Sequence, residues 1–289
     1  MPLFAAQFST EEAQAQGEHY DTIADAYVRN LSYPHTQEYM DFLDQVLAEA
    51  VGRSSLGTAA EICCGRGESF VLFGDRMERG VGVDMSVSML KSALRLHPGP
   101  HLTLVQGDAT QLPLADNSFD SVFMLGGIHH INNRESLFRE VSRILKPGGL
   151  FYFREPVDDF FLWRWLRAAI YRLSPALDHK TERPLRLAET IPQMEASGMR
   201  CRHWSTHGFL GFCLFMNSDV LLVNRLFRFV PGIRAMTRLS VRLDEKFTKL
   251  PAFRHSGLQV IGVAVKAPRT DSDTSDRAHT APASAQGCS

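Results

Sequence analysis

The stretch AAEICCGRGESF at residues 59–70 places two adjacent cysteines beside a Gly-Arg-Gly turn. Three interpretations suit these residue types at this spacing. The cysteines can form a redox pair. The glycines can let the backbone approach a nucleotide at the start of a helix, where free N–H groups are available. The run can also be a buried strand end with no chemistry, and the stretch by itself leaves all three open.

Two carboxylates follow the next two apolar runs. Asp84 ends RGVGVD and Asp108 ends HLTLVQGD. Asp84 at a strand end can accept hydrogen bonds from ribose hydroxyls, which nicotinamide and adenosyl cofactors both possess. Asp108 can accept from an adenine amino group, and this second acid is not part of the NAD fingerprint. That fingerprint also needs a third glycine where this chain has Phe70, which weakens the NAD interpretation.

The elements that must position these residues alternate between strands and helices. Strand patterns occur in GTAAEICC, RGVGVD, HLTLVQGD, NSFDSVFML, LFYFREP, MRCRHWSTH and LQVIGVAVKA. Helices are predicted from the glycine turn to about Met77, in MSVSMLKSALRL and in NRESLFREVSRIL, where Leu137, Val141, Ile144 and Leu145 share a face. This rhythm predicts an α/β fold whose parallel sheet is covered on both faces and binds ligands at the carboxyl ends of its strands.

An ordered series of motifs resembles the class I S-adenosylmethionine-dependent methyltransferases, and more narrowly their small-molecule branch with the ubiquinone and menaquinone methyltransferases. The motifs are EICCGRG (61–67), VDMS (83–86), GDA (107–109), LP (112–113), FD (119–120) and LKPGG (145–149). The resemblance covers about residues 17–155 and, weakly, 185–207 and 257–265. It implies a Rossmann-like α/β fold with a seven-stranded, mostly parallel sheet, helices on both faces and a helical cap. The implied cofactor is S-adenosyl-L-methionine, with S-adenosyl-L-homocysteine as product.

The resemblance also implies which residues bind the cofactor. They are Tyr20, Glu61, Cys63, Gly65, Gly67, Asp84, Met85, Asp108, Ala109, Leu125 and Gly126. Glu61 would organise the glycine turn and the cofactor's amino group, and Asp84 would bind the ribose. Met85, Asp108 and Ala109 would contact the adenine.

Three of these residues carry particular expectations. The backbone of Leu125 and Gly126 would face the methionine moiety, and Tyr20 would close over the cofactor from an N-terminal helix. Cys63 departs from the family, which usually has glycine there, and a Cβ at this point restricts the backbone. Cys63 and Cys64 are expected to be small packing residues rather than a redox pair, because buried free cysteine behaves as a small hydrophobe.

Catalytic candidates are found at two strand ends. Methyl transfer is an in-line displacement that needs alignment and, for a weak nucleophile, a base. His129 and His130 follow the fourth strand, and Glu155 ends the fifth. A histidine suits a phenol or alcohol, and a glutamate could serve C-methylation. One histidine could instead only cap or pack, and Glu155 could bind a backbone amide. His130→Ala is expected to lower turnover with little change in cofactor affinity.

The region after Pro156 is aromatic and basic. Arg200 to Arg254 contains ten Lys/Arg against three Asp/Glu, a net charge of +7. Residues 208–256 form a long insertion whose periodicity predicts helices. One interpretation is a pocket for a hydrophobic acceptor with an anionic or polar end, such as a prenyl, polyketide or fatty secondary metabolite. A second is peripheral contact with an anionic membrane. A third is an ordinary cap with solvated arginines.

Composition sets broader expectations. With 44% hydrophobic and 22% charged residues and a net charge of −1, the chain is globular. No apolar run reaches the ~20 residues of a membrane span, and the acidic start does not resemble a secretory signal. Five cysteines without metal-ligand spacing indicate no metal site and a cytoplasmic location.

These patterns predict a division of the chain into four parts. They are an N-terminal helical lid (1–50), an S-adenosylmethionine-binding Rossmann-like core (51–156), acceptor-binding cap insertions with the last helix and strands of the core (157–267) and a disordered tail (268–289).

The leading functional hypothesis is a methyltransferase acting on a hydrophobic small molecule. The alternatives are a catalytically silent S-adenosylmethionine-binding scaffold and, third, an NAD-dependent oxidoreductase. Nucleic acid is not expected as a partner, because the basic segment is strongly apolar and lacks polar Lys/Arg tracts. The patterns leave the acceptor, the methylated atom and the oligomeric state open.

Overall fold

A computed structural model describes residues 32–97, 101–166, 183–216 and 222–268. Residues 1–31 of the predicted lid, including Tyr20, lie outside the described residues, as do residues 269–289 of the predicted tail. The aromatic stretch after Pro156 is described to residue 166, and residues 161–166 are helical.

Seven strands form one sheet. They are β1 (Gly57–Ile62), β2 (Met77–Asp84), β3 (Leu102–Gln106), β4 (Phe119–Leu125), β5 (Leu145–Pro156), β6 (Met199–His207) and β7 (Gln259–Lys266). Their order is β3-β2-β1-β4-β5-β7-β6. Pairs from β3 to β5 are parallel, and β7 is antiparallel to β5 and β6. The predicted mostly parallel sheet is confirmed, and the carboxyl ends of β1 to β6 share one edge.

Helices cover both faces of the sheet. Those described are α1 (Pro34–Val51), α2 (Glu68–Phe73), α3 (Val87–Leu96), α4 (Arg134–Ile144), α5 (Leu187–Ala196), α6 (Leu210–Phe215) and α7 (Ile233–Thr248). Alternate residues of a strand point to opposite faces. Met124 of β4 accordingly belongs to one core cluster with Val141 of α4. Phe123 belongs to another with Leu47 of α1.

Three predicted boundaries differ from the structure. Strand β1 ends at Ile62, before the cysteines, because Cys63 has a left-handed φ of 52° that an extended strand cannot hold. Helix α2 ends at Phe73, and a turn of 3-10 helix leads into β2 at Met77. Strand β5 begins at Leu145 and includes the LKPGG motif, where the pairing with β4 shifts register.

The described residues of the insertion at 208–256 are mostly helical, as predicted. It comprises α6, a 3-10 segment (Leu222–Phe229), α7 and a 3-10 turn (Pro251–Phe253). The buried Asp244 of α7 accepts hydrogen bonds from the backbone N–H groups of Phe209, Gly211 and Phe212 at 2.8–3.1 Å. It also accepts from the Tyr39 hydroxyl of α1 at 3.1 Å. One carboxylate thus connects the insertion to α1.

Helix α7 is also tied to the edge strand β6. His207 contacts Glu245 through Nδ1 at 3.1 Å, and its Nε2 lies 2.8 Å from the Ser205 hydroxyl. Among the helices of the described ranges, none is long and apolar enough to cross a membrane.

Candidate active site

The carboxyl edge of the sheet gathers four acids around Cys63. Burial raises the pKa of the Cys63 thiol well above its usual range, and the carboxylates of Asp84, Glu155, Asp108 and Glu61 raise it further. These acids come from β1, β2, the loop after β3 and β5. The neighbouring Cys64 is buried, and burial raises its pKa as well. Both thiols therefore stay protonated, which does not suit the thiolate chemistry of a redox pair.

The glycine turn is held by Asp84. Cys63, Gly65 and Gly67 all have positive φ angles, of 52°, 50° and 80°. Asp84 accepts from the N–H of Gly65 at 2.7 Å with one oxygen and from the N–H of Ser86 at 2.9 Å with the other. A Cβ built on Gly65 would meet no atom within 4 Å. The turn therefore borders open space at the sheet edge, where a ligand can approach the backbone.

Gly127 makes room for Cys63. A Cβ at Gly127 would lie 2.7 Å from the Cβ of Cys63 and 2.9 Å from the end of Met124. A left-handed conformation is unfavourable for a residue with a Cβ, at about 1–2 kcal/mol. The loop after β4 thus accommodates the side chain that departs from the family's usual glycine.

Glu61 anchors the helix that follows the turn. Its carboxylate is buried and accepts from the backbone N–H of Ser69 at 3.1 Å and from the Ser69 hydroxyl at 2.8 Å. Burial raises the pKa of Glu61 to about 8. The organising role at the turn is therefore visible, and a contact with a cofactor amino group stays a prediction.

The predicted adenine-edge residues lie at the ends of β2 and β3. Asp108 accepts from the N–H and the hydroxyl of Thr110, both at 2.8 Å, which fixes its carboxylate. Ala109 is buried beside it, and Met85 is half-buried. The Met85 carbonyl accepts from Gln106 at 2.9 Å. These residues share the carboxyl edge with Asp84, as the sequence predicts.

Phe70 stands where the dinucleotide-binding fingerprint has its third glycine, and its ring packs against Gly80 of β2. A Cβ on Gly80 of β2 would lie 2.8 Å from the Phe70 ring, and one on Gly82 would lie 2.9 Å from the sulfur of Cys64. The dinucleotide fingerprint puts the small residue on the helix to allow close packing on the strand. Here the large residue is on the helix and the small ones are on the strand.

Glu155 binds the loop after β4. One carboxylate oxygen accepts from the N–H groups of Gly127 and Ile128 at 2.7 and 2.8 Å. The other lies 2.8 Å from Nδ1 of His129 and 3.3 Å from its N–H. The Glu155 side chain is fully buried, and that of His129 is 15% exposed. Of the two roles left open for Glu155, binding of backbone amides is the one seen, and direct chemistry stays a prediction.

This pairing fixes the hydrogen positions of His129. A carboxylate only accepts, so Nδ1 carries the hydrogen and Nε2 carries the lone pair of the neutral ring. The His130 ring lies beside it, with centroids 3.8 Å apart. The backbone N–H of Arg183 donates to the His129 carbonyl at 2.8 Å. His129 is thus held through its side chain by Glu155 and through its carbonyl by Arg183.

Leu125 and Gly126 lie where β4 ends. Leu125 is half-buried, and Gly126 is exposed with a φ of 82°. A Cβ on Gly126 would meet nothing within 4 Å. Sequence reasoning missed the supporting residues Ser69, Thr110 and Gly127. The hydroxyls stand two and eight residues from the acids that they bind, so a search for nearby Ser/Thr partners could have found them.

A groove lies at the far edge of the sheet, between β6, α7 and the start of α5. Its volume is about 590 Å³, and Leu187, Trp204, Lys249, Arg254 and His255 are among its lining residues. Within the described ranges, the buried Nε1 of Trp204 and Nδ1 of His255 have no hydrogen-bond partner. Lys249 and Arg254 are exposed. None of the predicted cofactor residues lines this groove.

Comparison with known proteins shows a methyltransferase domain. Residues 60–153 match the family model described as "Methyltransferase domain". The chain is 30% identical over 180 residues to demethylmenaquinone methyltransferase from Paenarthrobacter aurescens, which covers 60% of this chain and 66% of the relative. The chain spans roughly half the length of several other curated relatives, at 44% and 58% for two of them.

Solved structures show the same fold. The [4+2]-cyclase SpnF is 17% identical, with a TM-score of 0.60, over 89% of this chain and 97% of that one. Geranyl diphosphate C-methyltransferase from Streptomyces coelicolor, solved with S-adenosyl-L-homocysteine, is 17% identical, with a TM-score of 0.53, over 78% and 76% of the two chains. At this identity the likeness shows the fold alone.

Proposed function

We propose that this chain is a class I S-adenosylmethionine-dependent methyltransferase of the small-molecule type, and that it methylates a hydrophobic acceptor with His129 as general base. The observation that carries the role of His129 is its hydrogen bond to the buried carboxylate of Glu155 at 2.8 Å. That contact presents Nε2 with a free lone pair at the end of β4.

The residues at the sheet edge fit the family's cofactor, S-adenosyl-L-methionine. Asp84 would hold the ribose, and Asp108 with Ala109 would contact the adenine. The open space beside Gly65 and Gly126 would admit the cofactor to the backbone. The carboxylates of Asp84, Glu155 and Asp108 around Cys63 suit a cationic ligand, because negative charge stabilises positive charge. When bound, the cofactor supplies an electrophilic methyl group on a sulfonium.

His129 removes a proton from the acceptor. As the acceptor's nucleophilic atom is methylated, its acidity rises, and Nε2 of His129 takes the released proton. Glu155 stabilises the imidazolium through Nδ1 and is a positioning residue, since its oxygens are already bound to the loop of residues 127–129. A positioned base of this type contributes about 10²- to 10⁴-fold to the rate.

Two matched variants test the assignment of the base. His129→Ala should lower kcat by about 10²- to 10⁴-fold, with the affinity for S-adenosyl-L-methionine unchanged. His130→Ala, in the adjacent ring, is the control, and it also tests the sequence-based expectation that turnover falls at His130. A larger fall in kcat for His130→Ala than for His129→Ala would assign the base to His130 instead.

Glu155→Gln gives an independent readout. The substitution removes the negative charge beside Nδ1 of His129, so kcat should fall while the affinity for S-adenosyl-L-methionine stays unchanged. A loss of cofactor affinity in parallel with kcat would indicate a purely structural role and would contradict the positioning role.

The acceptor is hydrophobic and carries an anionic end. Curated relatives are named for demethylmenaquinone, and the same fold serves an enzyme named for geranyl diphosphate. Aromatic rings of the cap supply apolar surface, as in the cluster of Phe160, Trp163, Phe209 and Phe247. The prenyl, polyketide or lipid class of the acceptor rests on these two observations.

The groove beside β6 supports the proposal that the acceptor has an anionic end. Residues 183–187 run from the His129 carbonyl, past a bridge between Val157 and Leu185, to Leu187 at the groove. Four extended residues span at most about 14 Å. The cations of Lys249 and Arg254, and the N–H of Trp204, which has no partner among the described residues, suit a carboxylate or phosphate in the groove.

A charge-removal pair tests the anionic end. Lys249→Met with Arg254→Met should raise KM about tenfold for acidic acceptors and leave KM for their neutral esters unchanged. Lys91→Met with Arg95→Met on α3 is the control, because both residues are exposed and lie outside the groove. Equal KM effects on acids and esters would remove the groove from the acceptor site.

One observation favours the alternative of a catalytically silent S-adenosylmethionine-binding scaffold. The fold is shared with a protein named as a [4+2]-cyclase, so the fold does not decide the reaction. Saturable binding of S-adenosyl-L-methionine without S-adenosyl-L-homocysteine formation from any acceptor would favour this alternative.

A further inference from the structure

The outer side of the insertion exposes large apolar side chains. Leu239 and Leu243 of α7 are 57% and 58% exposed, and Met236 is 50% exposed. They follow each other at spacings of three and four residues, so they lie on one side of the helix. Leu226 and Phe229 of the preceding 3-10 segment are also exposed. We name Met236, Leu239 and Leu243, with Arg242 and Lys246, the basic apolar face.

This side is opposite to the one that α7 packs into the molecule. The buried residues of α7 are Ile233, Thr237, Val241, Asp244 and Thr248. These residues pack into the molecule, and the exposed Met236, Leu239 and Leu243 take no part in that packing. A contiguous exposed apolar surface marks an interaction site more often than isolated apolar residues do.

The charge of the face is positive. Arg242 and Lys246 are exposed, and neither forms an ion pair with another described residue. The two acids of α7 do not offset them at the surface, because Asp244 is buried and Glu245 contacts His207. Arg234 and Arg238 form ion pairs with Glu38 of α1, so they are not part of the basic apolar face.

We propose that the basic apolar face docks this protein onto an anionic lipid surface. Leucine and methionine side chains next to exposed cations match the boundary between acyl chains and anionic headgroups. A second copy of this chain is a poorer match, because a symmetric contact would bring Arg242 and Lys246 of both copies together. Docking here would place the enzyme beside acceptors that dissolve in the bilayer.

The test is vesicle cosedimentation without cofactor or acceptor, so that its outcome is independent of the proposed methyl transfer. The probes are vesicles of phosphatidylcholine alone and vesicles that also contain phosphatidylglycerol. Binding should require phosphatidylglycerol and should fall when salt is raised to near 1 M, where the Debye length is about 3 Å. Absence of binding to either vesicle would overturn the proposal.

Helix α3 offers matched control positions. Leu239→Ser with Leu243→Ser should lower the partition coefficient by about tenfold per leucine, and Arg242→Glu with Lys246→Glu should abolish binding. Leu94→Ser with Leu96→Ser, and Lys91→Glu with Arg95→Glu, make the same changes on the exposed side of α3 and should change binding little. Equal losses in both helices would contradict docking through this face.

Sedimentation velocity tests whether a second copy of this chain covers the basic apolar face. A monomer in lipid-free solution is the expected result. A lipid-free dimer that Leu239→Ser with Leu243→Ser dissociates would show that a second copy covers the face, and would overturn the lipid proposal.

Discussion

The carboxyl edge of the sheet and the helical insertion hold their acidic side chains in different ways. At the edge, Asp84, Asp108 and Glu61 bind donors that are 19, 2 and 8 residues away in sequence. In the insertion, Asp244 binds the hydroxyl of Tyr39, which is 205 residues away. These contacts at the edge thus join residues that are closer in sequence than Asp244 and Tyr39, whose contact connects distant parts of the chain.

The two regions also differ in what their surfaces offer. The edge presents acids around open space, as at Gly65 and Gly126. The insertion presents exposed leucines and cations, as at Leu239 and Arg242. A cationic cofactor suits the first surface, and an anionic or apolar partner suits the second. Variants at the edge should therefore affect cofactor binding, and variants in the insertion should affect stability or partner binding.

The largest effect is expected at Asp244. Asp244→Ala would leave three buried backbone N–H groups and the Tyr39 hydroxyl without their acceptor. Buried donors without partners cost about 1–3 kcal/mol each, so we expect the free energy of unfolding to fall by at least about 3 kcal/mol. Urea unfolding measures this loss. Unchanged stability would show that the insertion does not depend on this carboxylate.

Asp84→Ala should affect cofactor binding more than stability. Loss of a charged acceptor for ribose should weaken S-adenosyl-L-methionine binding by about 10- to 100-fold, with a smaller loss of stability than Asp244→Ala. Calorimetric titration measures the affinity. Asp116→Ala is the control, because this carboxylate lies in an exposed turn at 68% exposure. Equal affinities in both variants would remove Asp84 from the cofactor site.

Glu61 should make stability depend on pH. Its pKa is about 8 in the native state, against an ordinary value of 4.5. The unfolded chain releases this proton above pH 4.5 and the native state keeps it to about pH 8. The stabilising contribution is therefore fully present below pH 4.5 and is lost as pH rises to 8, at up to about 1.4 kcal/mol per pH unit.

Glu61→Gln isolates that contribution. The amide cannot titrate, so the stability of the variant relative to the native sequence should increase from pH 5 to pH 8 in urea unfolding. Glu135→Gln, at a side chain that is 74% exposed, should leave the profile unchanged. Parallel profiles for the native sequence and Glu61→Gln would contradict the raised pKa.

Cys63 should give the smallest effect. Cys63→Gly would relieve the left-handed backbone and lose a small side chain, so stability should stay within about 1 kcal/mol. Cys63→Val adds a β-branched side chain at a φ of 52° and should cost about 1–3 kcal/mol. Thermal unfolding distinguishes the two. Cys201→Val in β6 is the control, and a similar cost there would make backbone strain at Cys63 unnecessary.

The sequence predicts the carboxyl edge of the sheet better than the insertion, because the contacts at the edge join residues that are closer in sequence. Strand periodicity and the positions of Asp84 and Asp108 depend on short segments, so the sheet and the placement of these acids are confirmed. The end of β1 was missed because Cys63 takes a backbone conformation that its residue type does not favour. Local patterns predict types of element and do not predict such exceptions.

The pairing of His129 with Glu155 was beyond sequence reasoning. The two residues are 26 positions apart, and their contact follows from β4 and β5 being neighbours in the sheet. The sequence placed both at strand ends, but it could not say that the carboxylate faces the loop. In the insertion, helices were predicted, but the tie from Asp244 to Tyr39 requires the tertiary fold.

Formation of S-adenosyl-L-homocysteine tests the central claim most directly. The purified protein would be incubated with S-adenosyl-L-methionine and a panel of hydrophobic acceptors that includes quinols and prenylated acids. We predict product with at least one acceptor, and a fall of about 10²- to 10⁴-fold for His129→Ala at unchanged cofactor affinity. Cofactor binding without product for every acceptor, or wild-type turnover by His129→Ala, would contradict the account.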